Sequence, residues 1–215
     1  MWRSLAFIAF LAAVGAAPAA ARDPWDPHTK FTKADQAAAK AAVLSQADLG
    51  QGWTGGPQAN PSFKAPTCPA QRPNDGDLTL TGHAETVYSN GNGGLQADSD
   101  VEVFPTAKQA TARFDRFLQP KLFACLKYDL SKSLGSAKVT YLKGARLGFT
   151  KVAERTAVFR LPIVYKGAKI DFDFLYFGQG RSQFYVNIVA PSVQENQLPA
   201  FELRLAKALV KRAVR

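Results

Sequence analysis

The chain has 215 residues, 47% hydrophobic and 20% charged, with a formal net charge of +10. This is globular composition, too apolar for a mainly disordered chain, and at this length about 70% of the unfolded surface can be buried without help from metals or repeats. Thirteen Pro, 16 Gly and two Cys exclude collagen-like, low-complexity and small disulfide-scaffold architectures, so a single domain is expected.

The first segment sets the compartment. Met1-Trp2-Arg3 is a short positive start, Leu5 to Val14 is uncharged and apolar, and Ala17-Pro18-Ala19-Ala20-Ala21 supplies the small residues that precede a signal-peptidase cut. Residues 1–21 therefore read as a secretory signal peptide cleaved between Ala21 and Arg22; the rival reading is an uncleaved N-terminal anchor. The Ala-rich second half is too weakly apolar for a membrane span, and no later stretch is long and apolar enough for one. A lipoprotein signal needs a Cys directly after the apolar run, yet the first is Cys68. The expected mature chain is soluble and strongly basic. That surplus favours polyanions such as teichoic or phospholipid head groups, although simple solubility is the preferred explanation. Nucleic acid is not an expected partner of an exported protein.

Residues 22–31, with two prolines and no periodicity, read as a flexible lead-in to a domain over 32–215. Thr32 followed by Asp35 resembles a capping box with Asp in place of Glu, and the Ala-rich run predicts a helix to about Ser45. Gly50-Gln51-Gly52 stops it, and Trp53 starts a Gly/Pro/Asn-rich loop through Asp77 that holds Cys68. Leu78–Tyr88 and Leu95–Phe104, joined by two Asn-Gly steps, predict a hairpin. Thr106 caps a helix whose residues Ala107, Ala110, Phe114, Phe117 and Leu118 recur at helical spacing. Pro120 interrupts that helix; Leu122, Cys125 and Leu126 resume the buried face, and Gly135 ends it.

Four strand-like runs follow at about 137–149, 154–165, 168–177 and 181–190, with connections short enough to force an antiparallel meander. In the third, Ile170, Phe172, Phe174 and Tyr176 point one way, and Asp171, Asp173, Leu175 and Phe177 the other. A closing helix over about 197–212 lays Leu198, Phe201, Leu205 and Leu209 on one stripe and turns Arg204, Lys207 and Lys211 to solvent. The expected fold class is α+β: an antiparallel sheet of about six strands with helices on both faces, an α/β/α sandwich. A doubly wound nucleotide-binding sheet is excluded.

In an oxidising compartment, two cysteines predict one bridge, Cys68 to Cys125, closing a loop worth roughly 4 kcal/mol in the chain-entropy account. His28 and His83 lack the context of a catalytic base, and no Cys or His spacing suits zinc, so no cofactor, metal or catalytic residue is assigned. Asp171 with Asp173, and Asp98 with Asp100, are carboxylate pairs sharing strand faces that could bind calcium or serve as acid and base; the preferred reading is solvated or salt-bridged surface carboxylates. Asn74-Asp75-Gly76-Asp77 reads as a turn, and the 91–94 glycine cluster as the hairpin connection rather than a phosphate loop. The many aromatics could line a pocket between sheet and helix, although core packing explains them more simply.

The segment Leu44-Ser45-Gln46-Ala47-Asp48-Leu49-Gly50-Gln51-Gly52-Trp53, the loop residue Cys68, Val101-Glu102-Val103-Phe104 followed by Thr106-Ala107 and an amphipathic helix, and Cys125-Leu126 resemble the PknH-like extracellular sensor domains of actinobacteria. The likeness spans about residues 43–210 and extends to related secreted or lipid-anchored proteins of PsbP/Mog1-like layered fold. It implies a non-catalytic extracytoplasmic domain with a ligand-binding cleft. The chain departs from the best-known members in having no kinase domain, membrane-spanning linker or lipobox and one potential bridge where the kinase sensor has two, so a freely secreted or wall-associated binding protein is expected. An extracytoplasmic ligand-binding or sensor-like module is the leading function, for an unidentified small ligand or envelope component. A protein-interaction partner of an envelope complex and a hydrolase of envelope polymers using Asp171 and Asp173 are the alternatives.

Overall fold

The computed structural model describes residues 23–59, 68, 73–91, 94–118, 121–135 and 138–215. The expected signal segment, with its cut between Ala21 and Arg22, lies outside them.

Asp26 to Lys30 contain a short strand, β1 (His28–Thr29), parallel to β3 (Thr79–Leu80). The His28 and Lys30 amides donate to the carbonyls of Leu78 and Leu80 at 2.8 Å each, so this lead-in is joined to the body of the domain. Thr32 caps α1 (Lys33–Ala42), its hydroxyl accepting from the Asp35 amide at 3.0 Å. The expected reciprocal bond from the Asp35 side chain is not made. Its carboxylate pairs instead with Arg181, at 2.9 Å, and the Thr32 amide donates to the Thr81 carbonyl, also at 2.9 Å, because the helix is laid against the sheet. Gly82 shows how close that approach is: a Cβ there would sit 2.3 Å from the Asp35 carbonyl oxygen.

The helix expected to reach Ser45 stops at Ala42, and Ser45 caps a separate short helix, α2 (Gln46–Leu49), with a capping box to Asp48. Trp53, expected to open a loop, begins a strand, β2 (Trp53–Pro57), antiparallel to β4 (Gly82–Asn90) at the sheet edge. Its Gly-Gly-Pro sequence hides it from propensity, and an edge is where Pro and Gly are tolerated in a strand. The hairpin is as expected: β4 pairs with β5 (Leu95–Val103) from Gly82 opposite Val103 to Asn90 opposite Leu95. Then come α3 (Ala107–Phe117), capped by Thr106, and α4 (Leu122–Leu134), which ends on Gly135.

The run expected at 137–149 is two short pieces, β6 (Val139–Tyr141) and β7 (Ala145–Arg146), both against β8 (Arg155–Tyr165). β8, β9 (Ala168–Gln179) and β10 (Ser182–Pro191) form the expected meander. Lys166 and Gly167, at φ 50° and 82°, make the two-residue turn whose positive φ angles match strand twist. A 3-10 turn, Ser192–Gln197, leads into α5 (Leu198–Val210).

The sheet therefore has eight strands rather than about six, in the order β2-β4-β5-β10-β9-β8-β6 with β7 also on β8. The antiparallel pairing of β10 with β5 joins hairpin to meander. Helices cover both faces, and the α+β sandwich is as expected. On one face α1, α2 and α5 pack through Ala39, Leu49, Leu198, Leu205 and Leu209 onto Val101, Leu175, Phe177, Phe184 and Val186. Each such large side chain contributes about 1.5–3 kcal/mol by leaving water. On the other face α3 and α4 pack Phe114, Leu122 and Leu126 against Phe159, Leu161, Phe174 and Tyr176. Cys125 of α4 is bonded to Cys68, with Cα atoms 5.2 Å apart.

Candidate functional site

Strand alternation sends the odd-numbered residues of β5 into the α1/α5 core and the even-numbered ones to the opposite face, under α3 and α4. There the layers part around a cleft of about 650 Å³. Its floor reads across the sheet in rows set by register. One row runs Glu85, Asp100, Tyr185, Tyr176; the next Asp98, Asn187, Phe174; the next Gln96, Val189, Phe172. The β4/β5 end is acidic and the β9 end aromatic. Leu126, Leu130 and Leu134, one turn apart on α4, face the aromatic end, and Asp129 of the same helix also lines the cleft.

The acidic end is built on ion pairs. Arg113 of α3 is buried; its Nε and Nη2 donate to Glu102 at 3.0 and 2.9 Å, and its Nη1 donates to Asp75. Burial opposes charge on Arg113, but Glu102, Tyr185 and Asp75 outweigh it and hold the guanidinium well above its ordinary range. The Tyr185 hydroxyl donates to Glu102 at 3.1 Å. Asp75 and Asp77 belong to the turn expected at 74–77, where Leu78 N donates to Asp75 O at 2.8 Å. Asp77 receives a bidentate contact from Arg116, so that turn is fastened to α3 at two points.

Buried His83 has its Nε2 3.0 Å from Oδ1 of the partly exposed Asp100. Burial works against a charged imidazole, but the bond to Asp100 and its charge prevail, and the His83 pKa is raised. Burial pushes Asp98 up to about 6; the amide of Gln96, donating at 3.1 Å, opposes this and the charge of Glu85 adds to it. Burial also raises Asp129. On the same face of β10, fully buried Gln183 stands opposite Glu102, and neither of its amide atoms has a partner among the described residues.

The carboxylates expected on the surface, Asp171 and Asp173, are both fully buried, and on the other face of the sheet, toward α5. Asp173 is salt-bridged as expected, to Arg160, but inside the protein. Neither Asp171 oxygen meets a partner among the described residues. A hydrolase site resting on this pair therefore has no opening to the cleft. The other pair, Asp98 and Asp100, is the one that faces a cavity. The i, i+2 spacing signalled both pairs equally. What distinguishes them is which helices cover which face, and that is absent from local sequence.

Among the described residues no group of three His, Cys, Asp or Glu side chains is arranged to hold a metal ion, and no helix is long and apolar enough to cross a membrane. No protein-family model matches the chain, and no curated protein sequence does. The structure is similar to the crystal structure of the extracellular domain of PknH from Mycobacterium tuberculosis, with a TM-score of 0.51 and 13% identity over 82% of this chain and 95% of that one. At that identity the likeness establishes a common fold and nothing more, and the expected α+β architecture agrees with it.

Proposed function

We propose that the protein is an extracytoplasmic, non-catalytic binding module whose cleft beneath α3 and α4 receives a small ligand. The observation that carries this reading is the cleft itself: about 650 Å³, with an aromatic floor and several polar groups converging at one end. That combination is typical of ligand sites. Export is supported by the signal-like residues 1–21, by the Cys68–Cys125 bridge, which suits an oxidising compartment, and by the extracellular location named for the PknH neighbour. Kinship with secreted PsbP/Mog1-like proteins and association with the cell wall belong to the same proposal.

The test is a thermal-shift screen of the purified protein against envelope lipids, glycans and wall fragments, with Val189→Trp as the blocked control. Val189 is half-buried on the cleft floor, so an indole there fills the cavity while the opposite core is untouched. A ligand at 100 times its Kd adds about 2.7 kcal/mol, which corresponds to a rise of about 5–10 °C for a chain of this size. The reading predicts such a rise for one ligand class in the native protein and none in the variant. No stabilisation by any class, or equal stabilisation of both proteins, overturns it.

A further inference from the structure

The formal +10 of the chain is concentrated in one stretch. Residues 121–169 hold 11 of the 27 basic residues and two of the 17 acidic ones, a net +9, while the sixteen basic and fifteen acidic residues elsewhere nearly cancel. In the fold this stretch supplies α4, the edge pieces β6 and β7, β8 and the turn into β9. Two of its cations are used internally, Arg160 by Asp173 and Glu195, and Arg155 by Thr111, Gly180 and Glu154. Lys132, Lys138, Lys143, Arg146, Lys166 and Lys169 are exposed, and none of them enters an ion pair among the described residues.

These cations lie on one connected end of the sheet. Tyr141 fastens α4 to β6: its hydroxyl stands 2.6 Å from Ser131 Oγ and donates to the Lys127 carbonyl at 3.1 Å. β6 pairs with the end of β8, Val139 opposite Tyr165, which puts Lys138 beside the Lys166-Gly167 turn. Arg146 stands opposite Phe159, six residues back along β8, so the charge extends over about 20 Å of the edge. That is far wider than one phosphate or carboxylate and matches an extended array of anions. Lysines that flank an edge strand also discourage pairing with another chain, but this does not account for Lys132 on the helix or Lys166 at the turn.

Half-buried tyrosines are interleaved with the lysines. The ammonium groups of Lys127, Lys132 and Lys166 lie 5.8, 5.3 and 5.1 Å from the ring centroids of Tyr141, Tyr128 and Tyr165. Tyrosine beside lysine suits a bilayer interface, where the ring sits among the head groups and the ammonium meets phosphate. A soluble polyanion would call on the charge alone.

We propose that this end of the sheet, formed by α4, β6, β7 and the turn between β8 and β9, docks on a bilayer rich in anionic phospholipid. The attachment is peripheral and electrostatic, hence reversible and weakened by salt. It is independent of what the cleft binds.

The experiment is co-sedimentation with vesicles of phosphatidylcholine alone and of phosphatidylcholine with phosphatidylglycerol in equal amounts, at low and at high salt. The ratio of the two partition constants is read, because any apolar segment contributes equally to both. Each lysine or arginine near an anionic surface raises partition about fivefold, or about 1 kcal/mol. The native protein should therefore prefer the anionic vesicles by at least about 100-fold at low salt, and less at high salt. Lys138→Gln, Lys166→Asn, Lys169→Gln combined should lose about 100-fold of that preference; Asn is chosen at position 166 because φ is 50° there. Lys33→Gln, Lys40→Gln, Lys207→Gln combined removes the same charge from exposed positions of α1 and α5, on the other face, and should keep most of the preference. Equal partition of the native protein onto both vesicles, or equal losses in the two triple variants, overturns the docking surface. Binding to soluble polyphosphate but to neither vesicle overturns the bilayer as the occupant.

Discussion

Arg160 on β8 and Asp173 on β9 stand opposite each other in the sheet, with Arg160 Nε and Nη2 each donating to a carboxylate oxygen of Asp173 at 2.7 Å. Asp173 is fully buried, and Arg160 also reaches Glu195 of the 3-10 turn at 2.6 Å. The pair thereby links two central strands to the segment that leads into α5. Burying the ions is costly, so the bridge is weak evidence for net stabilisation, but removing one partner strands the other's charge. Arg160→Met is expected to lower stability by about 3–5 kcal/mol, measured by urea denaturation. Loss below about 1 kcal/mol, the range of exposed pairs, would show that Asp173 is solvated when Arg160 is gone.

Glu202 of α5 is buried beside this pair. Desolvation first, then the hydrogen bond and charge of Asp173, push its pKa up to about 9, against the opposing charge of Arg160. The folded state therefore keeps a proton that the unfolded state releases near pH 4.5. Its contribution to stability is complete below that pH and is lost as pH rises toward 9, because over this window the native state binds more protons. Glu202→Gln keeps the neutral form at every pH. It is expected to remove the alkaline decline and to raise stability at pH 8 by at least about 1 kcal/mol, one pKa unit being 1.36 kcal/mol. Parallel stability–pH curves for the two proteins between pH 5 and 9 would contradict this.

Asp98 titrates by the same logic in the cleft. It stands opposite Val87 on β4 and Asn187 on β10, with Asp100 two residues along its own strand and Glu85 diagonal to it, and its pKa is about 6 rather than 3.8. Carbon-detected titration should place its midpoint near pH 6. Between about pH 4 and 6 the native state holds the extra proton, so this group's stabilising contribution falls as pH rises. Asp98→Asn is expected to be more stable than the native protein at pH 7.5. A midpoint below pH 4.5 would mean that water reaches the carboxylate freely.

The Cys68–Cys125 bridge spans 57 positions and ties α4, which supplies one wall of the cleft, to a position 11 residues before β3 in sequence. The chain-entropy estimate for a loop of that length is about 4 kcal/mol. The double variant Cys68→Ser, Cys125→Ser should lose stability of that order, and reductant should lower the melting temperature of the native protein while leaving the variant unchanged. Equal melting temperatures with and without reductant would show that the two sulfurs are not joined in solution.

Local chemistry determined most elements. Thr32 and Thr106 announced helix starts, Gly135 a helix end, and the Asn-Gly steps after Ser89 the pairing of β4 with β5, since caps and hairpins depend on residues a few positions apart. The alternation of β9 correctly divided Phe172 and Phe174 from Leu175 and Phe177. Strand β2 stayed hidden because Gly55, Gly56 and Pro57 carry no β propensity; its partner β4 imposes the extended form. Asp35 resembled half of a capping box, but Arg181, 146 positions away, claimed its carboxylate.

The division between the two acidic pairs was decided only by the tertiary structure. Asp98 and Asp100 open on a cavity because β10 inserts between β5 and β9 and brings aromatic side chains alongside them; Asp171 and Asp173 are enclosed because α5 closes over their face. Sequence periodicity reports which residues share a side of a strand. Which layer then covers that side, and how completely, follows from contacts between segments far apart in the chain, and those contacts set both the charge of the cleft and its depth.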